Sequence, residues 1–124
     1  MSIFKKTHAF QTDVIGMPPP TTPVADIDDQ WSQRTTVLLT EELNEYVDAV
    51  AQRDRAECVD ALIDLIYVAS GALNQMGVDG DAAFDLVHHA NMCKIGGVKP
   101  ERGMAHDAAK PAHWVAPDHT CWFE

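Results

Sequence analysis

The spacing of apolar residues predicts that most of this chain is helical. In the first long helix, apolar side chains recur every three or four positions, at Leu39, Leu43, Tyr46, Val47 and Val50, which places them on one face. The polar stretch 52–55 predicts a turn. A second long helix is expected over about residues 56–76, with Gly77 as its C-terminal stop.

The two ends of the chain carry weaker patterns. Residues 1–23 hold a short apolar pattern that can begin a helix, followed by a proline-rich loop. A third main helix is expected to begin at Asp79 or Asp81, either of which can cap it, and to end near Lys94. Residues 98–124 contain several prolines and little periodicity, which predicts an irregular C-terminal tail.

Two groups of carboxylates lie on the two long predicted helices. The groups are Glu41, Glu42 and Glu45 on the first helix, and Glu57, Asp60 and Asp64 on the second. Because residues three, four or seven positions apart share one side of a helix, the second group falls on a narrow stripe, while Glu45 neighbours both Glu42 and Glu41 on the first helix. Antiparallel pairing of the helices would bring the two stripes face to face.

The second group has an almost wholly apolar context, which predicts a buried helix. Buried carboxylates are costly unless a positive partner meets them, and the sequence places few cations nearby. A bound metal ion is therefore the candidate partner, and ligands that are all oxygen atoms favour Mg²⁺ or Mn²⁺ over zinc. The alternative for the first group is a solvated helix face.

Composition limits the classes of partner. The 124 residues fit one domain over residues 1–124. The net charge of −10 argues against unaided binding to nucleic acid or to an anionic membrane surface. An odd number of cysteines without a CxxC pair, and an N-terminus without an apolar signal region, favour the cytoplasm. No apolar stretch reaches the roughly 20 residues of a membrane span.

Three motifs in order resemble the MazG-like, all-α nucleoside triphosphate pyrophosphohydrolase superfamily. They are an EExxE motif at residues 41–45, an ExxDxxxD motif at residues 57–64, and a VHxxNMxK element at residues 87–94. The last two are similar to members related to phosphoribosyl-ATP pyrophosphohydrolase, including phage members. The resemblance extends over about residues 10–118.

This resemblance implies a helical bundle that assembles as a homodimer or homotetramer. It also implies hydrolysis of a nucleoside triphosphate between its α- and β-phosphates, with divalent metal required. By motif position, the resemblance makes Glu42, Glu45, Glu57 and Asp60 metal ligands. Asp64 is expected to be a ligand in addition to Asp60 or instead of it.

Catalytic and substrate-binding roles are also implied. Glu41 or Glu45 would orient the attacking water and accept its proton. Positive and polar side chains would bind the phosphates or the sugar, and the candidates are Arg34, Asn91, Lys94 and Lys110. The alternatives are a solvated helix face for Arg34 and a favourable helix-dipole contact for Lys94. Trp31 and Trp114 are candidates either for stacking on a base or for core packing.

The substrate remains open at this level. Some phage members of the group prefer guanine nucleotides, which makes dGTP or GTP one expectation. Phosphoribosyl-ATP is the alternative substrate, with the same chemistry. A third hypothesis is a non-enzymatic acidic interaction protein, which would need carboxylates spread over an exposed surface. The tail has His106-Asp-Ala-Ala-Lys110 where many relatives carry DGKxxK, so its glycine and first lysine are missing.

Overall fold

A computed structural model describes all residues from Met1 to Glu124. Its four α-helices are α1 (Ile3–Phe10), α2 (Asp29–Ala51), α3 (Arg55–Gln75) and α4 (Gly80–Met92). The only sheet pairs two strands of three residues each, β1 (Ile95–Gly97) and β2 (Asp107–Ala109). The predicted all-α fold class is therefore confirmed. The chain divides into two compact units, Met1–Gly80 and Asp81–Trp122.

The frame of the first unit is the helical hairpin of α2 and α3. Both helices begin at an aspartate whose carboxylate accepts a backbone N–H of the first turn: Asp28 accepts from Trp31 at 2.9 Å, and Asp54 accepts from Glu57 at 3.1 Å. Arg53 takes a left-handed conformation, with φ of 56°, and reverses the chain. The short connection makes the two helices antiparallel, as the sequence predicts.

A ladder of buried polar side chains joins α1 to α3. Thr7 Oγ1 lies 2.6 Å from Ser70 Oγ, and Asn74 Nδ2 donates to Thr7 Oγ1 at 3.0 Å. One helical turn further on, Gln11 Nε2 donates to the carbonyl of Gly71 at 2.9 Å. Because these groups are buried and paired, they fix the position of α1 on α3 more specifically than apolar contact alone.

A π-helical turn, Gln11–Ile15, continues α1, and the chain then returns across the end of α3. The sequence predicts a helix start in this region, but it does not predict the π turn. The backbone N–H of Val24 donates to the carbonyl of Met76 at 3.0 Å, and Gln75 Nε2 donates to the carbonyl of Met17 at 3.0 Å. The first bond satisfies a carbonyl at the C-terminal end of α3, and the second fixes the loop at Met17 against that end.

Gly77 ends α3 in a left-handed conformation, with φ of 72°, and a Cβ at this position would collide with the backbone carbonyl of Thr22. We expect Gly77→Ala to lower the free energy of unfolding by roughly 2–3 kcal/mol, because it adds a clash to a disfavoured φ. Gly16 is the matched control, since its φ is 76° but nothing lies within 4 Å. Gly16→Ala should cost only about 1 kcal/mol in urea unfolding, and equal costs would contradict this explanation.

The second unit combines α4 with the β1–β2 hairpin. The strands are antiparallel, with Ile95 opposite Ala109 and Gly97 opposite Asp107. The helix predicted to end near Lys94 corresponds to α4, which ends at Met92, and the tail predicted to be irregular contains a strand and two short 3₁₀ helices. Segments this short carry no readable periodicity, so the sequence pattern misses them.

Within the single chain, α3 is buried on one side and exposed on another, so its predicted burial is only partly met by the chain itself. Val59, Leu62, Ile63 and Ile66 are each 46–63% exposed in the single chain. Along α2, Leu43, Val47 and Val50 are exposed as well. We call these residues the exposed apolar face. None of the helices, α3 included, combines the length and the apolar character that crossing a membrane requires.

Candidate metal centre

Three carboxylates from α2 and α3 converge at the middle of the helical hairpin. Oxygen atoms of Glu42, Glu45 and Asp64 all lie within 4.8 Å of one another. Glu42 and Glu45 are one turn apart on α2, and the antiparallel pairing places Asp64 of α3 opposite them. The predicted meeting of the two acidic stripes thus occurs, and it centres on these residues.

The environment of Glu42 favours its protonated form while no cation is bound. Burial, then a hydrogen bond with Glu45 and the charges of Glu45, Asp64 and Glu41, together raise the pKa of Glu42 from 4.5 to about 7. Burial and then the charges of Asp60 and Glu45 raise the pKa of Asp64, while a hydrogen bond with Glu42 partly offsets this rise. Full deprotonation would therefore place several negative charges side by side, which is unfavourable until a cation binds.

The residues at this point fit a hard divalent cation. Glu42 Oε2 is buried and has no hydrogen-bond partner, which is unusual for a carboxylate oxygen. No lysine, arginine or histidine forms a salt bridge with Glu42, Glu45 or Asp64. A cation that prefers carboxylate oxygens would satisfy the orphan atom and neutralise the cluster at once. The arrangement of these carboxylates therefore fits a centre for a hard divalent cation.

The other predicted carboxylates lie around the cluster. Asp60 is exposed on α3 and close enough for its charge to raise the pKa of Asp64. Glu41 is exposed on α2 and acts on Glu42 in the same way. Glu57 is exposed in the first turn of α3, near the hairpin connection, and is not in the group of oxygens that meet.

A groove in the first unit is lined by α1, the π turn, α2 and α3. It encloses about 750 Å³ and its wall is mainly apolar, within the range of small-molecule sites. Its aromatic residues are Phe10, Trp31 and Tyr67, of which Phe10 and Tyr67 meet edge to face at 5.5 Å between ring centroids. The indole N–H of Trp31 donates to the carbonyl of Ala72 at 3.0 Å, which holds the ring against α3.

The predicted substrate-binding residues fall into two places. Arg34 is exposed on α2 and lines the groove. In the second unit, Lys94 Nζ and Lys110 Nζ lie 5.3 and 4.9 Å from the centroid of the Trp114 ring. Asn91 is exposed in the last turn of α4, and no hydrogen bond connects its side chain to these lysines.

Two groove residues and the contacts of Trp114 were not predicted from the sequence, although Trp114 itself was a candidate for stacking or packing. Phe10 and Gln11 line the groove, although neither belongs to a recognisable motif. The ring of Trp114 contacts the ammonium groups of two lysines, Lys94 and Lys110, that are far apart in the chain. Its indole N–H also donates to the carbonyl of Ala90 at 2.6 Å, in the last turn of α4. The carbonyls in the last turn of a helix lack partners within the helix, and a tryptophan in the following segment can donate its indole N–H to one of them. That pattern is the weak sequence signal for this contact.

Comparison with known proteins identifies the family of the chain. No curated protein matches the chain significantly. A family model described as phosphoribosyl-ATP pyrophosphohydrolase matches residues 10–91, which is more than half of the chain and includes the α2–α3 hairpin with its carboxylate cluster. This match confirms the family resemblance drawn from the sequence motifs over residues 10–91, without distinguishing phage members from others. The chain therefore belongs to the phosphoribosyl-ATP pyrophosphohydrolase family, within the MazG-like all-α superfamily of metal-dependent nucleotide pyrophosphohydrolases.

Proposed function

We propose that this protein hydrolyses a nucleoside triphosphate to the monophosphate and pyrophosphate with the help of Mg²⁺ or Mn²⁺. The single observation that carries the proposal is the cluster of Glu42, Glu45 and Asp64, with the buried and unpaired Oε2 of Glu42. A solvated acidic surface would leave each carboxylate separately hydrated. The convergence of carboxylates on one point therefore favours the enzyme over an acidic interaction protein.

Glu42, Glu45 and Asp64 would hold the metal, with Asp60 and Glu57 as further carboxylates on the same helix as Asp64. When bound, a divalent cation supplies charge neutralisation at phosphate oxygens and lowers the pKa of water. The protein's own contribution is to fix carboxylates from two helices in one place before substrate arrives.

The exposed carboxylates of α2 are the proposed acceptors of the proton that the attacking water releases. Glu45 belongs to the cluster and is exposed, and Glu41 is exposed beside Glu42. Either carboxylate would accept the proton of the attacking water and orient the water's lone pair toward the α- or β-phosphorus. The raised pKa of Glu42 makes it the poorer choice for a base when no metal is present, because it then holds a proton up to about pH 7.

Phosphate charge would be balanced by Arg34, Lys94 and Lys110, with Asn91 as a hydrogen-bond donor. Lys94 and Lys110 form no salt bridge, and both lie against the Trp114 ring. In a chain with net charge −10, two unpaired ammonium groups held at one indole favour an anionic ligand. This supports a phosphate-binding role for the second unit.

Two substrate classes deserve separate tests. Guanine nucleotides, dGTP or GTP, are proposed from the motif resemblance, and phosphoribosyl-ATP is the second candidate because the matched family is named for its hydrolysis. The experiment is a panel of all ribo- and deoxyribonucleoside triphosphates and phosphoribosyl-ATP, assayed for pyrophosphate with Mg²⁺ or Mn²⁺. We expect pyrophosphate release from at least one substrate and none in chelator. Release of orthophosphate alone would contradict the proposed cleavage position.

We also propose a homodimer or homotetramer in solution. The exposed apolar face defined above, with Ile63 and Ile66 at its centre, is too apolar to be favourable in water. Tyr67 is 38% exposed next to it and would contribute to the same contacts. Light scattering at micromolar concentration should show a particle at least twice the chain mass of 13.6 kDa. A stable monomer would contradict the proposal.

A further inference from the structure

The groove and the carboxylate cluster lie on the same helix faces. Along α2, the groove residues Trp31, Thr35 and Leu38 are followed by Glu42 at spacings i, i+4, i+7 and i+11. Such spacing keeps all of them on one side of the helix. The groove therefore lies in line with the cluster along α2, and Glu42 follows the groove residue Leu38 by about one helical turn.

The same relation holds on α3 in the opposite chain direction. Asp64 is followed by the groove residues Val68, Gly71 and Gln75, again at i, i+4, i+7 and i+11. Both walls of the hairpin thus run from the carboxylates into the groove. At 1.5 Å per residue, Trp31 lies about 16 Å along the helix axis from Glu42, a span suited to a nucleotide with its phosphates at the carboxylates and its base in the groove.

From this alignment we propose that the groove binds the nucleoside half of the substrate, with the base against Trp31 and Phe10 and the sugar nearer Thr35. The inference rests on the proposed function, because the phosphates are taken to lie at the carboxylate cluster. The volume of about 750 Å³ admits a nucleoside. Aromatic side chains offer flat apolar surfaces on which a base stacks.

Unpaired polar groups in the groove distinguish this ligand from a purely apolar one. Gln30, Arg34 and Thr35 line the groove from α2, and no hydrogen bond or salt bridge within the chain engages their side chains. Amide and hydroxyl groups complement the edge of a base and the hydroxyls of a sugar. Arg34 precedes Thr35 on α2, beside the proposed sugar position, and its long side chain would extend from there toward the phosphates of the same ligand.

The test fills the groove without touching the carboxylates. Ala72 lines the groove and lies i+8 from Asp64, so Ala72→Phe adds bulk about 12 Å from the cluster along the axis. Ala56 is exposed in the first turn of α3 and does not line the groove, so Ala56→Phe is the matched control. The probes are Mn²⁺ alone, tripolyphosphate with Mn²⁺, and α,β-methylene triphosphate analogues of the best substrates.

The expected result is selective. Ala72→Phe should weaken binding of the nucleoside analogue by about tenfold or more, equivalent to about 1.4 kcal/mol. Its affinities for Mn²⁺ and tripolyphosphate should equal those of the wild type, and Ala56→Phe should change none of the three. Unchanged analogue affinity in a folded Ala72→Phe variant would overturn the inference. Failure of the wild type to bind Mn²⁺ would instead overturn the proposed function, which keeps the two failures distinct.

A second variant keeps the test decisive if Ala72→Phe does not fold. Thr35→Val replaces the hydroxyl with a methyl group and keeps the shape of the side chain. The melting temperature should therefore stay close to that of the wild type. We expect KM for the nucleoside triphosphate to rise several-fold with kcat nearly unchanged, because uniform binding is lost. Thr36 is the control, since its hydroxyl donates to the Ser32 carbonyl and it does not line the groove. Equal kinetics for Thr35→Val and the wild type would contradict the inference.

Discussion

Glu42→Gln is expected to lower kcat by roughly 10²–10³-fold or more, the range seen when one electrostatic group is lost at a reacting centre. The substitution keeps the shape of the side chain but removes the negative charge that a hard cation needs. Without metal, the same change should leave the fold intact or more stable, because one half-buried like charge is gone from the cluster. Activity and metal-free stability should thus move in opposite directions.

Matched carboxylate variants give this prediction its control. Asp64→Asn should behave like Glu42→Gln, since Asp64 supplies the α3 side of the cluster. Asp60→Asn should lose less, because Asp60 acts on the cluster through its charge. Asp48 is exposed on α2 outside the cluster, so Asp48→Asn should keep wild-type turnover. Full activity in Asp64→Asn combined with loss in Asp60→Asn would transfer the ligand role to Asp60.

Stability of the metal-free protein is expected to fall as the pH rises from about 4.5 to about 7. The pKa of Glu42 is raised from 4.5 to about 7 in the folded chain, so the folded state keeps a proton that the unfolded state releases in this window. The contribution of Glu42 is therefore fully present below the unfolded pKa and is lost as the pH passes the folded pKa. Asp64, whose pKa is also raised, acts in the same direction.

Urea unfolding in chelator at several pH values measures this effect. The difference between wild type and Glu42→Gln isolates the Glu42 contribution from other titrating groups, such as Asp118, whose pKa is lowered by its hydrogen bonds with Thr120. Mn²⁺ should abolish the loss near pH 7, because the cation binds the deprotonated carboxylates. A pH dependence that is identical in the wild type and Glu42→Gln would show that Glu42 does not titrate as described.

The main helices follow directly from local signals in the sequence. α3 begins within one residue of the predicted start because Asp54 caps it, and it ends before Gly77 because a left-handed residue favours glycine. The meeting of the two acidic stripes also follows, since a short connection forces α2 and α3 to be antiparallel. Local propensity and helical spacing are enough for these features.

Which carboxylates meet depends on the relative register of the two helices, and the motif alone does not give it. The turn at Arg53 sets that register, so Asp64 lies opposite Glu42 while Glu57 stays near the connection. The groove likewise depends on the docking of α1 through Thr7 and the π turn, which are tertiary events without a periodic signal. An apolar pattern does not distinguish a core from an uncovered surface, so the sequence does not show which side of α3 packs within the chain.

The most direct test of the central claim is a ³¹P NMR time course of the best nucleoside triphosphate substrate with Mg²⁺, run for wild type and Glu42→Gln. We expect equal amounts of pyrophosphate and nucleoside monophosphate from the wild type, and almost no product from Glu42→Gln or in chelator. Orthophosphate with nucleoside diphosphate, or undiminished turnover in Glu42→Gln, would contradict the claim that this carboxylate cluster is the metal centre of a nucleotide pyrophosphohydrolase.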